Sequence, residues 1–166
     1  MQSKNSPHPF RAQALGLVGW LLVTFAAATL GAVASVDAAS FYEELIKPTW
    51  APPTSIFSPV WSVLYLLMGI AVWLVWREPQ AKEKMLGLFI VQLIVNAIWS
   101  WLFFVWHLGG WSFAAVLLLF MLILATQFAF WKISRIAGAL MIPYLLWVGF
   151  ASLLTWTIWQ NNPILL

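Results

Sequence analysis

Gln92, Asn96, Trp99 and Phe103 follow one another at steps of four, three and four. That spacing puts them on one face of a helix. They lie in a stretch without a single charge, where two amides must turn toward protein or toward a bound molecule because hydrocarbon offers them no partner. Trp61 and Tyr65 stack at i, i+4, and Tyr144, Trp147, Ala151 and Leu154 form a further stripe. Interhelical hydrogen bonding with ordinary packing accounts for such a pattern, and so does ligand contact. Aromatic rings with few amides and no charge describe a pocket for a large, flat, apolar molecule.

Other chemistries lack their residues. All five acids, Asp37, Glu43, Glu44, Glu78 and Glu83, lie outside the apolar stretches. No carboxylate pair is therefore available there for acid–base work, and a proton-coupled carrier would lack its usual intramembrane ionisable group. The absence of Cys excludes disulfides, thiolate metal sites and Cys nucleophiles. His8 and His107 stand apart from any partner for a metal site or triad, which makes His107 an expected interfacial residue and leaves no metal site. There is no phosphate-binding glycine loop.

The elements that must carry these residues follow from composition. Of 166 residues, 63% are hydrophobic and 8% charged, and the mean hydropathy is +0.91. One water-soluble core of this size could not hide so much apolar surface. Five stretches contain no Asp, Glu, Lys or Arg: Leu15–Val36, Phe57–Trp76, Met85–Trp106, Trp111–Trp131 and Ile136–Trp159. Each is long enough to cross a ~30 Å hydrocarbon core as a helix, and no alternating barrel strands compete with that reading. The expected fold is an all-α membrane protein: residues 1–166 form a single domain of five transmembrane helices, with a long first loop acting as a lid. The first stretch exceeds a secretory h-region of about 7–15 residues, so it is read as a span.

The basic residues give the topology. Five crossings put Lys4, Arg11, Arg77, Lys82, Lys84, Lys132 and Arg135 on one side and leave Lys47 alone on the other. The positive-inside rule then places the N-terminus in the cytoplasm and the C-terminus on the opposite face. The pI near 9.5 is thereby a matter of topology, and nucleic acid is not an expected partner.

Connections are short except for Asp37–Ile56. Ser40 is expected to cap a short helix reaching Leu45, with Glu43 and Glu44 near its positive end. Pro48 should stop that helix, and Pro52 and Pro53 should stiffen the segment that follows. With Phe41, Tyr42 and Trp50, this loop reads either as an interfacial aromatic belt or as a stiff apolar cover over the mouth of the bundle. Small residues at Ala27, Ala28, Gly31 and Ala32, and at Ala125 and Ala129, mark faces where helices approach closely, within the chain or between two copies.

Several of these stretches resemble the translocator protein family, also called tryptophan-rich sensory proteins or peripheral-type benzodiazepine receptors. The resemblance runs through Lys47-Pro48-Thr49-Trp50-Ala51-Pro52-Pro53, Phe57-Ser58-Pro59-Val60-Trp61 and Tyr65-Leu66-Leu67-Met68-Gly69. It continues through Gln92 and Asn96, Phe103-Phe104, Trp111, and Pro143-Tyr144-Leu145 with Trp147, Phe150 and Ala151. It covers about Leu15 to Asn162 and implies a five-helix bundle, a homodimer, and binding of tetrapyrroles such as protoporphyrin IX and haem. It also implies benzodiazepine-type ligands and, in animal members, cholesterol. No resident cofactor is implied; porphyrin or haem is ligand. Carried over position by position, the ligand contacts are Tyr42 and Pro52 in the loop, Trp61 and Tyr65, Asn96 and Phe103, Trp111, and Trp147 and Ala151. Trp50 and Trp99 join that set from the reading of the residues themselves.

Two departures narrow the resemblance. The animal sterol motif needs a Tyr and a following basic residue where this chain has Trp156 and Gln160, which leaves sterol-like molecules as secondary partners beside tetrapyrroles and lipids. The family's small-residue dimer motif is incomplete, since Gly87 is followed four places on by Val91. The missing sterol motif and the short C-terminus are similar to bacterial members, so a bacterial membrane is expected. Three classes of function follow. The first is a tetrapyrrole-binding sensor or carrier. The second is an enzyme degrading porphyrin in light, with Trp61 and Trp147 as redox-active rings. The third is a small-molecule exporter, which the lack of intramembrane charge disfavours.

Overall fold

Pro9 opens the first helix, and Pro143 divides the last. In the computed structural model, which describes residues 9–81 and 83–166, α1 spans Phe10–Ala34 and starts directly after Pro9. This is five residues ahead of the charge-free stretch, because Arg11 limits where hydrocarbon can begin and does not oppose helical backbone. Helix α2 covers Ala38–Glu44, and a 3₁₀ turn at Thr54–Ile56 leads into α3, Phe57–Trp76. Helix α4, Glu83–Ser100, runs on as a π-helical turn over Trp101–Val105. Helix α5 spans Gly109–Ile133, α6 Arg135–Leu140 and α7 Ile142–Asn161. Five apolar helical segments are long enough to cross a membrane, α6 and α7 together making the fifth. The chain is a multi-pass integral membrane protein.

The last span is interrupted at Met141, where the charge-free pattern predicts an unbroken helix. Pro143 has no N–H to give to the carbonyl of Ala139, and its ring crowds that position. The backbone turns there, with the Met141 N–H bonded to the Gly138 carbonyl at 3.2 Å, and helix resumes. In the third span the Trp106 N–H reaches the Trp101 carbonyl at 2.9 Å. This widened turn carries one extra residue and shifts the side chains beyond it.

The helices form a ring. Helix α1 packs on α3 and α4, α5 on α4 and α7, and α6 on α3. At one end α1 and α3 nearly touch. A Cβ on Gly69 would meet Leu21 and lie 3.0 Å from Thr24 Oγ1, and one on Gly16 would collide with the Trp76 ring. The Trp73 indole N–H donates to the Gln13 carbonyl at 2.8 Å. The start of α1 and the α3–α4 connection therefore share an end of the bundle. At the opposite end Asn162 bonds to Ile46, and Gly109 lies against Trp159. This pairing of ends is the one the basic residues require; Lys4, His8 and Lys82 lie outside the described residues.

The long loop differs in detail from its expected form. Helix α2 begins at Ala38, so Ser40 sits inside it and donates to the Asp37 carbonyl at 2.9 Å instead of capping. A serine one turn into a helix satisfies its hydroxyl on its own backbone. Glu43 and Glu44 consequently lie at the helix's C-terminal end, not its positive end. Helix α2 ends at Glu44, ahead of Pro48. Lys47 Nζ donates to the carbonyls of Tyr42 (2.5 Å), Leu45 (3.0 Å) and Glu43 (3.2 Å), and a cation is well placed on such exposed carbonyls.

Candidate functional site

On α3, the i, i+4 pair Trp61 and Tyr65 faces inward with ring centroids 5.8 Å apart. Their neighbours come from α7, where Tyr144 meets the edge of Trp61 at 6.1 Å and Trp147 meets Phe57 at 5.9 Å. Trp99 on α4 and Phe103 on the π turn that continues it stack at 5.8 Å and 15°. Except for Tyr144, which is buried behind Trp61, these rings stand around a cavity of about 480 Å³, within the size range of pockets that enclose small organic ligands.

The cavity is bounded by α1, α3, α4, α7 and the loop carrying α2. Of the residues expected from sequence, Tyr42, Trp61, Tyr65, Asn96, Trp99, Phe103, Trp147 and Ala151 line it. Trp50, Pro52 and Trp111 do not. Trp50 is 48% exposed and rests edge-on against Phe150 at 5.7 Å. Pro52 contributes its carbonyl, which accepts the Tyr42 hydroxyl at 3.2 Å. Trp111 is 70% exposed, because α5 lies behind α4 and α7 and no residue at its start can reach through them.

Several lining residues escaped the sequence, among them Phe25 and Phe57. Phe104 joins Phe103 at the cavity, their rings 5.0 Å apart, because the π turn reorients consecutive side chains. A wall of small residues comes from α1 and the start of α3: Ala28, Thr29, Ala32 and Ser35 face the cavity together with Ser58 and Ser62. The i, i+4 spacing of Ser58 and Ser62 was a usable signal, but Ala28 and Ala32 read equally well as a helix-packing face. Gly31 does pack, its added Cβ lying 3.4 Å from Ser100 Oγ.

The polar groups are few and specific. Asn96 Nδ2 donates to the Tyr65 hydroxyl at 2.9 Å, so this amide joins α4 to α3 and borders the cavity at once. Gln92, fully buried one turn away, is not at the cavity; its Nε2 lies 4.0 Å from Met68 Sδ and its Oε1 has no partner. The hydroxyls of Thr29, Ser35 and Ser62, all lining residues, donate to backbone carbonyls of their own helices or helix ends. Burial raises the pKa of Tyr42 above its usual value, so the phenol stays protonated and keeps its bond to Pro52. Among the described residues no three His, Cys, Asp or Glu come together as a metal site. His107 is at a positive φ of 51°, its ring stacked on Phe41 at 4.1 Å, outside the cavity lining.

Such a chamber can hold an apolar molecule by ring faces and offer a few hydrogen-bonding atoms to its edge. Residues 20–160 match the model of the TspO/MBR family. A tryptophan-rich protein TspO of Chlorobaculum tepidum is 39% identical over 127 residues, covering 74% of this chain and 80% of that protein. The translocator protein of Ovis aries is 40% identical over 126 residues, covering 74% and 75%. A tryptophan-rich sensory protein of Cereibacter sphaeroides is 33% identical over 137 residues, covering 80% and 85%.

Proposed function

The chain belongs to the TspO/MBR family, and on that premise we propose that it is a membrane receptor or carrier for tetrapyrroles such as protoporphyrin IX and haem. One observation carries the reading: an aromatic-walled cavity of about 480 Å³ whose lining includes no ionised side chain. A flat macrocycle gains dispersion and ring contacts from Trp61, Tyr65, Trp99, Phe103 and Trp147, and Asn96 offers a polar contact at its edge. Haem bound there would be held through its ring: the lining contains no His, Cys or Met, and its phenols Tyr65 and Tyr42 are engaged by Asn96 and the Pro52 carbonyl. Benzodiazepine-type molecules share the same chemistry of fused rings with few acceptors.

Titration of the purified protein with protoporphyrin IX, read by quenching of Trp fluorescence, tests the proposal. Saturable quenching that weakens in Trp61→Ala is expected; absence of saturable binding by the parent protein would overturn it. Light-dependent porphyrin degradation is a second reading, favoured by Trp61 and Trp147 both bordering the cavity. Product analysis after illumination and after darkness separates the two.

We further propose a bacterial membrane location, a cytoplasmic N-terminus, a C-terminus on the opposite face, and assembly as a homodimer. The distribution of Lys and Arg supports the orientation, and terminal tags accessible from the same side would exclude it.

A further inference from the structure

Asn162 stands just past the end of α7, yet it is only 4% exposed. Its Oδ1 accepts the Ile46 N–H at 2.8 Å, while Nδ2 donates to the Ile46 carbonyl at 3.1 Å and to the Ile158 carbonyl at 2.7 Å. One side-chain amide thus pairs with both backbone groups of a single residue, as a neighbouring strand would. A primary amide presents a donor and an acceptor side by side; a carboxylate has acceptors only.

The attachment point is mechanically significant. Ile46 lies between α2, which brings Ala38, Ala39 and Tyr42 to the cavity, and the proline segment whose Pro52 carbonyl takes the Tyr42 hydroxyl. The Ile46 side chain is 65% exposed, so Ile46 is held through its backbone, while its neighbour Leu45 is buried in the core. The side-chain hydrogen bonds of Tyr42 and Lys47 stay within the loop. Among the described residues, the hydrogen bonds that join this loop to a helix distant in sequence all run through Asn162. Its other attachments are apolar: burial of Leu45 in the core and ring contacts such as Phe41 on His107 and Tyr42 on Phe57 at 5.6 Å.

We propose that Asn162 is a latch that holds the 37–56 loop closed over the cavity and sets the rate of ligand exchange without touching the ligand. It is a positioning residue, since it is not part of the cavity lining. Its effect on exchange rests on the tetrapyrrole reading above; its effect on the loop does not. A residue that contacts ligand changes mainly dissociation and so Kd, whereas a latch slows passage in both directions and leaves Kd nearly unchanged. Releasing two hydrogen bonds is expected to raise association and dissociation each by about tenfold, with Kd changed by less than about twofold.

The cysteine-free sequence allows a direct test. Spin labels at Glu44→Cys and Gln160→Cys, both exposed positions, report the distance from loop to α7 by pulsed electron resonance. The otherwise unaltered protein should give one narrow distribution. Asn162→Ala should broaden it, and so should Asn162→Asp, which keeps the side chain's size while setting a carboxylate against the Ile46 and Ile158 carbonyls. Stopped-flow mixing with protoporphyrin IX should show both rates rising in the same variants. An unchanged distance distribution in the folded variants would overturn the latch. A broadened distribution with unchanged porphyrin rates would overturn its control of exchange. Failure of the parent to bind porphyrin would sink the ligand reading, with the label distances still deciding the latch.

Discussion

At the end of the bundle where α1 begins, Met68, Val72, Val75, Phe89, Phe130, Ala137 and Met141 are fully buried; at the loop end the same spans stand around an open chamber. Composition does not separate the two ends, because both are apolar and rich in rings. Contact distance does. Gly16, Gly69 and Gly138 let Trp76, Leu21 and Trp131 close in, so side chains from facing helices interlock. Toward the loop, small residues face the chamber from both α1 and α3: Ala28 and Ala32 on one, Ser58 and Ser62 on the other. Small groups along this shared wall leave volume that no side chain fills. The closed end supplies stability, and the open end exchanges some of it for a site.

This contrast predicts that stability and binding can be damaged separately. Phe89 stacks on Phe130 at 5.9 Å and meets Trp20 at 6.1 Å. Phe89→Ala is expected to cost about 3–5 kcal/mol of stability, read as earlier thermal or denaturant unfolding in detergent. Porphyrin affinity of the remaining folded protein should stay at the parent value; a parallel loss of affinity would show that the two ends are coupled. Trp61→Ala should do the reverse, weakening porphyrin binding by about 2 kcal/mol, roughly 30-fold. Its unfolding should move less than that of Phe89→Ala, since the removed ring already borders empty space.

A smaller effect is expected at Ala151, where Ala151→Leu adds volume without a polar demand. Titration should show affinity reduced by about 1–2 kcal/mol, within the range of overpacking costs, and unchanged affinity in a folded variant would remove Ala151 from the site. The smallest effect belongs to the loop. Pro52→Gly with Pro53→Gly deletes no cavity ring but frees backbone that closure must order, at about 0.4–1 kcal/mol per site. Faster porphyrin dissociation with intact unfolding behaviour is the expected reading. Release at the parent rate would make the loop an interfacial belt instead of a cover.

Part of this was legible in one dimension. The second span ends at Trp76, where charge returns with Arg77, and starts at Phe57 just past Pro52 and Pro53, so its 20 largely apolar residues match the length needed to cross lipid. Asn96, Trp99 and Phe103 reach one chamber because helical spacing places them on one face. Other features depend on partners that spacing cannot name. Trp111 belongs to an aromatic pattern but sits on a helix two others screen from the cavity. Gln92 shares its face with Asn96, yet lies one turn too deep and meets Met68. Ser40 has the chemistry of a cap but lost that role because α2 begins at Ala38, three residues before the Phe41 start that a Ser40 cap implies.

The sequence alone determined the solvent, the number of crossings and which helical faces carry rings and amides. These follow from hydropathy, charge placement and a 3.6-residue period, all local properties of the chain. Tertiary structure decided which faces meet, where a gap remains, and that Asn162 finds Ile46 across 116 residues. Those outcomes depend on the distances between helices, which are set by packing at contacts such as Gly69 against α1 and by the proline break and π turn that redirect two of the spans.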